Sequence, residues 1–165
     1  MEKQIFNKKI SIIFKYSVKL GIYINDLSVH FMAKTSFTIE IEINASPRTL
    51  YPYISTPDGL AQWFADEVFE DDEDFLVFIW DEKKHIARMA AKKVNSFAKF
   101  EFLPETDEDS SNPSWIEFKV EVNEMTNSTF LKIEDYSQID NPDDYEEMYR
   151  YCLATLKEIV GGGHI

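Results

Sequence analysis

The chain has 165 residues, of which 44% are hydrophobic and 15% aromatic, a length and composition typical of one folded domain with a sizeable core. Its 30 acidic residues outnumber its 17 Lys and Arg, and the resulting net charge of −13 predicts an acidic surface that repels nucleic acid and anionic membranes. The single cysteine, Cys152, excludes an intramolecular disulfide and any multi-cysteine metal site, which favours a reducing, cytoplasmic location.

The first 31 residues differ in composition from the rest of the chain. They carry five Lys and two acidic residues, and lysines interrupt their isoleucine-rich apolar stretches. No apolar run reaches the roughly 18 residues that a membrane span needs, so we expect no integral membrane association. We divide the chain into an N-terminal extension (1–31), one domain (32–160) and a flexible tail (161–165). A basic interfacial helix and an added strand are alternatives for the extension, which also lacks a small-x-small cleavage site.

The domain begins with a strand followed by two short helices. Apolar and polar residues alternate over residues 37–43, which predicts a strand with one buried face. Ser46-Pro47 and Thr56-Pro57 each place a capping residue before a proline suited to the first helical position. We therefore predict short helices at about 47–54 and 57–64.

Residues 67–136 return to strand patterns separated by turn-forming or charged breaks. Residues 98–102 and 116–122 alternate apolar and polar side chains, as in antiparallel strands with one covered face. Residues 75–80 are apolar on both parities, which predicts a second covered face or a contact surface. The breaks, which allow about six strands, lie at 71–72, 81–82, 95–96, 105–112 and 127–128.

The last predicted element is a long helix. Asn141 and Pro142 supply the capping residue and the first helical position, and an apolar stripe follows at helical spacing over about 18 residues. The stripe consists of Tyr145, Met148, Cys152, Leu156 and Ile159. One strand, two short helices, a six-strand meander and a long helix predict an α+β fold with the helix lying across an antiparallel sheet.

This order, with the strings INASP (43–47), ISTPDGL (54–60) and QWF (62–64), resembles the START-like superfamily with the helix-grip fold. That superfamily includes polyketide cyclases, birch-pollen-allergen-like proteins and the chaperone-activator domain. The resemblance covers about 35–160, although Pro52 departs from the family pattern and predicts a kinked or short first helix. It implies a curved sheet of about seven strands wrapped around the C-terminal helix, with an apolar cavity between them.

The residues expected to line that cavity are large aromatic or flexible apolar side chains, which suit an irregular apolar pocket. They are Trp63 and Phe64 near the mouth, Phe100 and Phe102 from one strand, and Met148 and Cys152 from the terminal helix. The alternative is that these side chains simply fill the core.

No catalytic residue, metal site or cofactor is predicted. The acidic run at 70–74 lacks the spacing and central glycine of a calcium loop, so we interpret it as a solvated hairpin tip. His30, His85 and His164 are too scattered for a zinc site or a catalytic triad. Cys152 lies on the apolar stripe, which favours a buried structural thiol. The chain lacks GxSxG, Walker and Rossmann motifs, and the superfamily shares no single catalytic motif to carry over.

The resemblance therefore predicts a non-enzymatic module whose partner is a lipid-like or polyketide-like hydrophobic small molecule. One alternative is a protein-interaction domain of the chaperone-activator type, for which an exposed apolar patch would argue. A second is a cyclase or hydrolase-type enzyme in which a cavity carboxylate or Tyr136 performs acid–base work, for which a buried carboxyl of raised pKa would argue.

Overall fold

The computed structural model describes residues 34–104, 109–139 and 141–161, so the predicted N-terminal extension lies outside the described residues. The predicted α+β architecture and its element order are confirmed. The strands are β1 (Thr35–Ile43), β2 (Glu67–Glu70), β3 (Leu76–Trp80), β4 (Lys83–Lys93), β5 (Phe97–Phe102), β6 (Trp115–Val122) and β7 (Thr129–Ser137). The α-helices are α1 (Pro47–Ser55), α2 (Pro57–Leu60) and α3 (Pro142–Gly161), and a 3-10 turn spans Asp109–Ser111.

The seven strands form one antiparallel sheet in the order β1-β7-β6-β5-β4-β3-β2. Strands β2 to β7 each pair with the next strand in sequence, and β1 pairs with β7 at the other end of the order. The first and second strands are therefore the two edges of the sheet. β7 therefore lies next to the edge strand β1, and the chain continues from β7 into α3.

Positive-φ residues mark the hairpin turns at the predicted breaks. Asp81 and Glu82 join β3 to β4 with φ angles of 49° and 64°, a left-handed pair that suits a two-residue hairpin. Asn95 and Asn127 adopt φ of 58° and 57° in the turns after β4 and β6, since asparagine tolerates this region better than most residues. The strand boundaries thus follow from local turn chemistry.

The two short helices start as predicted, and the second ends earlier. Ser46 Oγ accepts a hydrogen bond from Thr49 N at 3.1 Å, and Thr56 Oγ1 accepts one from Gly59 N at 3.1 Å, so both capping residues act as such. The first helix accommodates Pro52 and ends three residues after it. The prediction of a second helix reaching residue 64 is wrong, because α2 is a single turn followed by further turns.

Helix α3 packs on the inner face of the sheet along a stripe centred differently from the predicted one. Cys152 and Leu156 are buried as expected. Two residues outside the predicted stripe, Tyr149 and Leu153, are also buried. The remaining members of the predicted stripe, Tyr145, Met148 and Ile159, are only partly buried against the core. None of the described helices combines the length and apolar character that crossing a bilayer requires.

Candidate functional site

The fold brings all six predicted lining residues into one apolar cluster between the sheet and α3. Phe100 and Phe102 face inward from β5, Trp63 and Phe64 follow α2, and Met148 and Cys152 belong to α3. Four of the six are buried, whereas Phe102 and Met148 keep part of their surface exposed. Whether they hold a ligand or form a packed core depends on the space between them.

Aromatic rings are closely packed beneath Trp63 and Phe64. Phe118 lies at the centre of this group, with ring centroids 5.1 Å from Phe64, 5.6 Å from Trp63 and 6.2 Å from Phe100. Such separations are those of contacting aromatic pairs. The indole N–H of Trp63 donates to the Tyr53 carbonyl oxygen at 2.8 Å, which fixes this side chain within the core. This part of the cluster is occupied by side chains.

A polar pair, the partly buried Asp135 and the buried Tyr149, joins the sheet to α3. Tyr149 is 1% exposed, and its hydroxyl donates a hydrogen bond to Asp135 Oδ2 at 2.5 Å. The Tyr149 ring stacks on Phe37 of β1, with centroids 5.5 Å apart and planes inclined by 15°. Beside this pair, the hydroxyls of Ser137 and Tyr145 lie 3.2 Å apart. One end of the apolar interface therefore carries a compact hydrogen-bonding group.

Desolvation raises the pKa of both members of this pair. Desolvation raises the pKa of Asp135 above its usual range, although hydrogen bonds from the Tyr149 and Ser137 hydroxyls act in the opposite direction. The pKa of Tyr149 is raised well above that of an ordinary phenol, first by burial and then by the nearby Asp135 carboxylate. Both shifts are toward the protonated form, and the pair places hydrogen-bonding oxygen atoms at the edge of an apolar region.

The raised pKa of Asp135 predicts a specific pH dependence of stability. A proton bound more tightly in the folded state stabilises the protein below the ordinary aspartate pKa, and this contribution is lost as pH rises through the raised value. Asp135→Asn keeps an acceptor oxygen for Tyr149 but does not ionise. We expect the stability of this variant relative to the parent to increase between about pH 4 and pH 7, measured by urea unfolding.

Glu134→Gln is the control for that measurement, because it removes the neighbouring carboxylate, which lies on the outer face of β7. Stability curves of Asp135→Asn and the parent that run parallel across this pH range would contradict the assignment of a raised pKa to Asp135.

Two other groups considered for chemistry lie in unsuitable environments. Burial raises the pKa of the Cys152 thiol to about 12, so this residue holds no thiolate at neutral pH and acts as a structural thiol. Tyr136, the suggested acid–base group, lies on the outer face of β7, stacked on Trp115 with centroids 5.8 Å apart. Its hydroxyl accepts a hydrogen bond from Asn112 Nδ2 at 2.9 Å, away from the interior.

The opposite end of the interface has an open cleft of about 950 Å³. It lies between the start of α1, the β6–β7 turn and the last turns of α3, and the buried Ile43 forms part of its wall. Lys157 supplies a positive charge there. None of the six predicted lining residues belongs to this cleft, whose residues come from the ends of three strands, the two segments beside them and two helices.

The acidic run at 70–74 has a structural role as the β2–β3 turn. Asp71 Oδ1 accepts hydrogen bonds from the backbone N–H groups of Glu73 and Phe75, both at 2.9 Å, in agreement with the predicted hairpin tip. Across 34–104, 109–139 and 141–161, no group of three His, Cys, Asp or Glu side chains is arranged to hold a metal ion.

A curved antiparallel sheet that holds a long C-terminal helix against its inner face defines the helix-grip class of α+β proteins. Comparison with protein families gives the more specific assignment. The family model described as a START-like superfamily domain matches residues 31–162, and the chain belongs to this superfamily, whose domains typically bind hydrophobic ligands. The predicted resemblance is therefore confirmed. No curated protein matches the chain.

Solved structures share this fold. The Aha1 dimer from Colwellia psychrerythraea aligns with a TM-score of 0.61 and 20% identity, covering 76% of this chain and 96% of that one. A protein from Mesorhizobium loti aligns with a TM-score of 0.60 and 13% identity, covering 79% and 100%. A Bacteroides fragilis protein determined by solution NMR is 33% identical, with a TM-score of 0.51 and coverage of 78% and 92%.

Proposed function

We propose that the protein binds a hydrophobic small molecule, lipid-like or polyketide-like, between the inner face of the sheet and α3, and that it does not transform it. The family assignment supports binding of this class of ligand. The observation that carries the proposal here is the combination of an apolar sheet–helix interface with the Asp135–Tyr149 pair at one end. An apolar body and one hydrogen-bonding group are the features such a site selects.

The proposed route to this site is the end of the interface where apolar side chains remain partly exposed. Phe102 and Met148 are both partly exposed and pack against the core. Phe102 N donates to the Ser114 carbonyl oxygen, which places Phe102 at the same end of the sheet as Ser137, the neighbour of Tyr145. A flexible methionine can move aside at small cost, so an entering ligand would displace Met148 before any packed aromatic ring.

We predict that Cys152→Trp blocks the binding of an apolar probe. The Cys152 side chain faces the sheet from the middle of α3, so an indole there would occupy the volume proposed for the ligand. Overpacking of this kind costs about 1–3 kcal/mol, which leaves a folded protein to test. Titration with a fluorescent fatty acid, together with native mass spectrometry, measures the loss of binding.

Two variants make this experiment decisive. Cys152→Ala should retain probe binding, because it removes volume at the same position. Lys157→Trp places the same indole at the open cleft instead, and should leave binding intact if the ligand enters beside Met148. If Cys152→Trp does not fold, Met148→Trp replaces it, since that position is partly exposed. Unchanged affinity in the folded tryptophan variants would overturn the proposed site.

A cyclase or hydrolase-type enzyme is the second candidate, and one observation favours it. Asp135 is the carboxyl of raised pKa within the interface that acid–base catalysis would use, and the Tyr149 hydroxyl is bonded to it. Its test is the fate of a bound polyketide-like probe. Turnover that disappears in Asp135→Asn while binding persists would establish catalysis, whereas unchanged bound probe in the parent protein would exclude it for that probe.

A further inference from the structure

The outer face of the sheet carries an apolar row that crosses four strands. Phe69, Val77 and Ile86 are directly opposite one another across β2, β3 and β4. Leu103 continues the row beyond β5, since its N–H donates to the Ile86 carbonyl oxygen at 2.8 Å. We call these four residues the outer row. It accounts for the two-sided apolar character of residues 75–80, because Val77 faces outward while Leu76 and Phe78 face the core.

The outer row lies on a face that also carries charged pairs and a few partly buried aromatic side chains. Phe69, Ile86 and Leu103 are 40%, 39% and 40% exposed, while Val77 between them is 5% exposed. Charged pairs elsewhere on the outer face include Arg88 with Glu101 and Lys132 with Glu134. An antiparallel sheet with one covered face is expected to be polar on the other. A contiguous apolar stripe on this face therefore indicates a contact surface.

Residues 1–33 precede β1, and β1 begins at the same end of the sheet as the outer row. Thr35 pairs with Ser137, and Ser114 pairs with Phe102, which immediately precedes Leu103. The residue before Thr35, Lys34, is held at this end by a hydrogen bond from its Nζ to the Asn112 carbonyl oxygen at 2.6 Å. With neighbouring strands about 5 Å apart, Leu103 lies about 15 Å from β1 and Phe69 about 30 Å from it.

The 33 preceding residues have the length and chemistry to cover the outer row. Extended chain spans about 3.3 Å per residue, so this segment reaches well beyond β2. In residues 14–20, Phe14, Tyr16, Val18 and Leu20 alternate with Lys15, Ser17 and Lys19, a pattern that would give an extended strand one apolar side and one basic side. The segment has a net charge of +3, opposite to that of the rest of the chain.

Acidic groups also lie close to the β2 end of the outer row. Glu67 shares the outward parity of Phe69 on β2, and the turn that follows β2 carries four consecutive acidic residues at 71–74. From this juxtaposition we propose that residues 1–33 dock on the outer row of their own chain, with the apolar side of residues 14–20 against the row. The contact leaves the sheet–helix interface free for its own ligand.

Paramagnetic labelling of the full chain tests this docking. A nitroxide is attached to Ser17→Cys in a Cys152→Ala background, and amide signals of the isotopically labelled protein are recorded before and after reduction of the nitroxide. We expect loss of the Phe69, Val77, Ile86 and Leu103 signals in the oxidised sample. Ile86→Asp should restore the signals of Phe69, Val77 and Leu103, because the charge disrupts the apolar contact. Thr38→Asp adds the same charge elsewhere on the outer face and should not restore them. If Ile86→Asp unfolds, Leu103→Asp takes its place.

Each other result overturns the proposal. Signals of the outer row that survive in the oxidised sample would show that the segment does not dock there. A mixed sample separates contacts within one chain from contacts between chains: one chain carries the nitroxide without isotopes, and the other carries isotopes without the nitroxide. Signals lost only in this mixture would show that the segment docks on the outer row of a second copy. Signal loss that Ile86→Asp and Leu103→Asp both leave unchanged would place the segment on another surface.

Discussion

Gly59→Ala is expected to destabilise the protein by about 3 kcal/mol, the upper end of the usual cost of overpacking, because no space exists for the added methyl group. A Cβ atom at Gly59 would lie 2.1 Å from the Pro52 carbonyl oxygen and 2.7 Å from Tyr53 Cα. Both are backbone atoms, so relief requires α2 to move away from α1. That movement would also strain the hydrogen bond from the Trp63 indole to the Tyr53 carbonyl oxygen. Urea titration followed by tryptophan fluorescence measures the loss.

Gly161→Ala is the matched control for Gly59→Ala. A Cβ atom there has no atom within 4 Å, and the residue ends α3. Alanine at a helical position is more favourable than glycine, so we expect a change of less than about 1 kcal/mol in the stabilising direction. Equal unfolding free energies for Gly59→Ala and the parent would show that the two short helices are less closely packed than described.

The case of Gly59 shows which parts of the fold the sequence could predict. The capping residues Ser46 and Thr56 predicted the starts of two helices, because capping is a local interaction between residues three positions apart. The contact of Gly59 with Pro52 depends on how two helices cross, which no local pattern encodes. The second helix was predicted too long for a related reason: Trp63 and Phe64 are buried through turns rather than through a continued helix.

The candidate site divides in the same way. Strand alternation, which is visible in the sequence, places Phe100 and Phe102 on the inner face of β5, and both lie in the apolar cluster. The Asp135–Tyr149 pair was missed, because its hydrogen bond joins a strand residue to a helix residue 14 positions later in the chain. One signal was available: Asp135 occupies the inward parity of β7, after Leu131 and Ile133, where a charged residue is out of place.

The buried stripe of α3 differs from the predicted one because of the same hydrogen bond between Asp135 and Tyr149. The predicted stripe followed helical spacing from Tyr145 through Met148 and did not include Tyr149, whose hydroxyl is satisfied in the interior by its hydrogen bond to Asp135. The buried side of the helix therefore includes Tyr149 and Leu153 beside Cys152 and Leu156. Leu156, like Cys152, belongs to both the predicted stripe and the observed one, and its larger, fully buried side chain makes it the stronger test of helix packing.

We expect Leu156→Ala to lower the free energy of unfolding by about 2–5 kcal/mol. The Leu156 side chain is fully buried between α3 and the sheet, so its truncation removes apolar contacts and leaves a cavity. Glu158→Ala on the exposed side of the same helix should change stability by only about 0.5 kcal/mol. Chemical denaturation of both variants, followed by circular dichroism, compares them directly.

A near-neutral Leu156→Ala would mean that α3 does not pack on the inner face of the sheet, and a ligand site between them would then lose its physical basis. The expected loss would instead fix α3 as one wall of that site. The cavity created at Leu156 would also adjoin Cys152, one helical turn away. Stronger binding of a larger apolar probe to Leu156→Ala than to the parent would then indicate that the proposed ligand volume extends along this side of the helix.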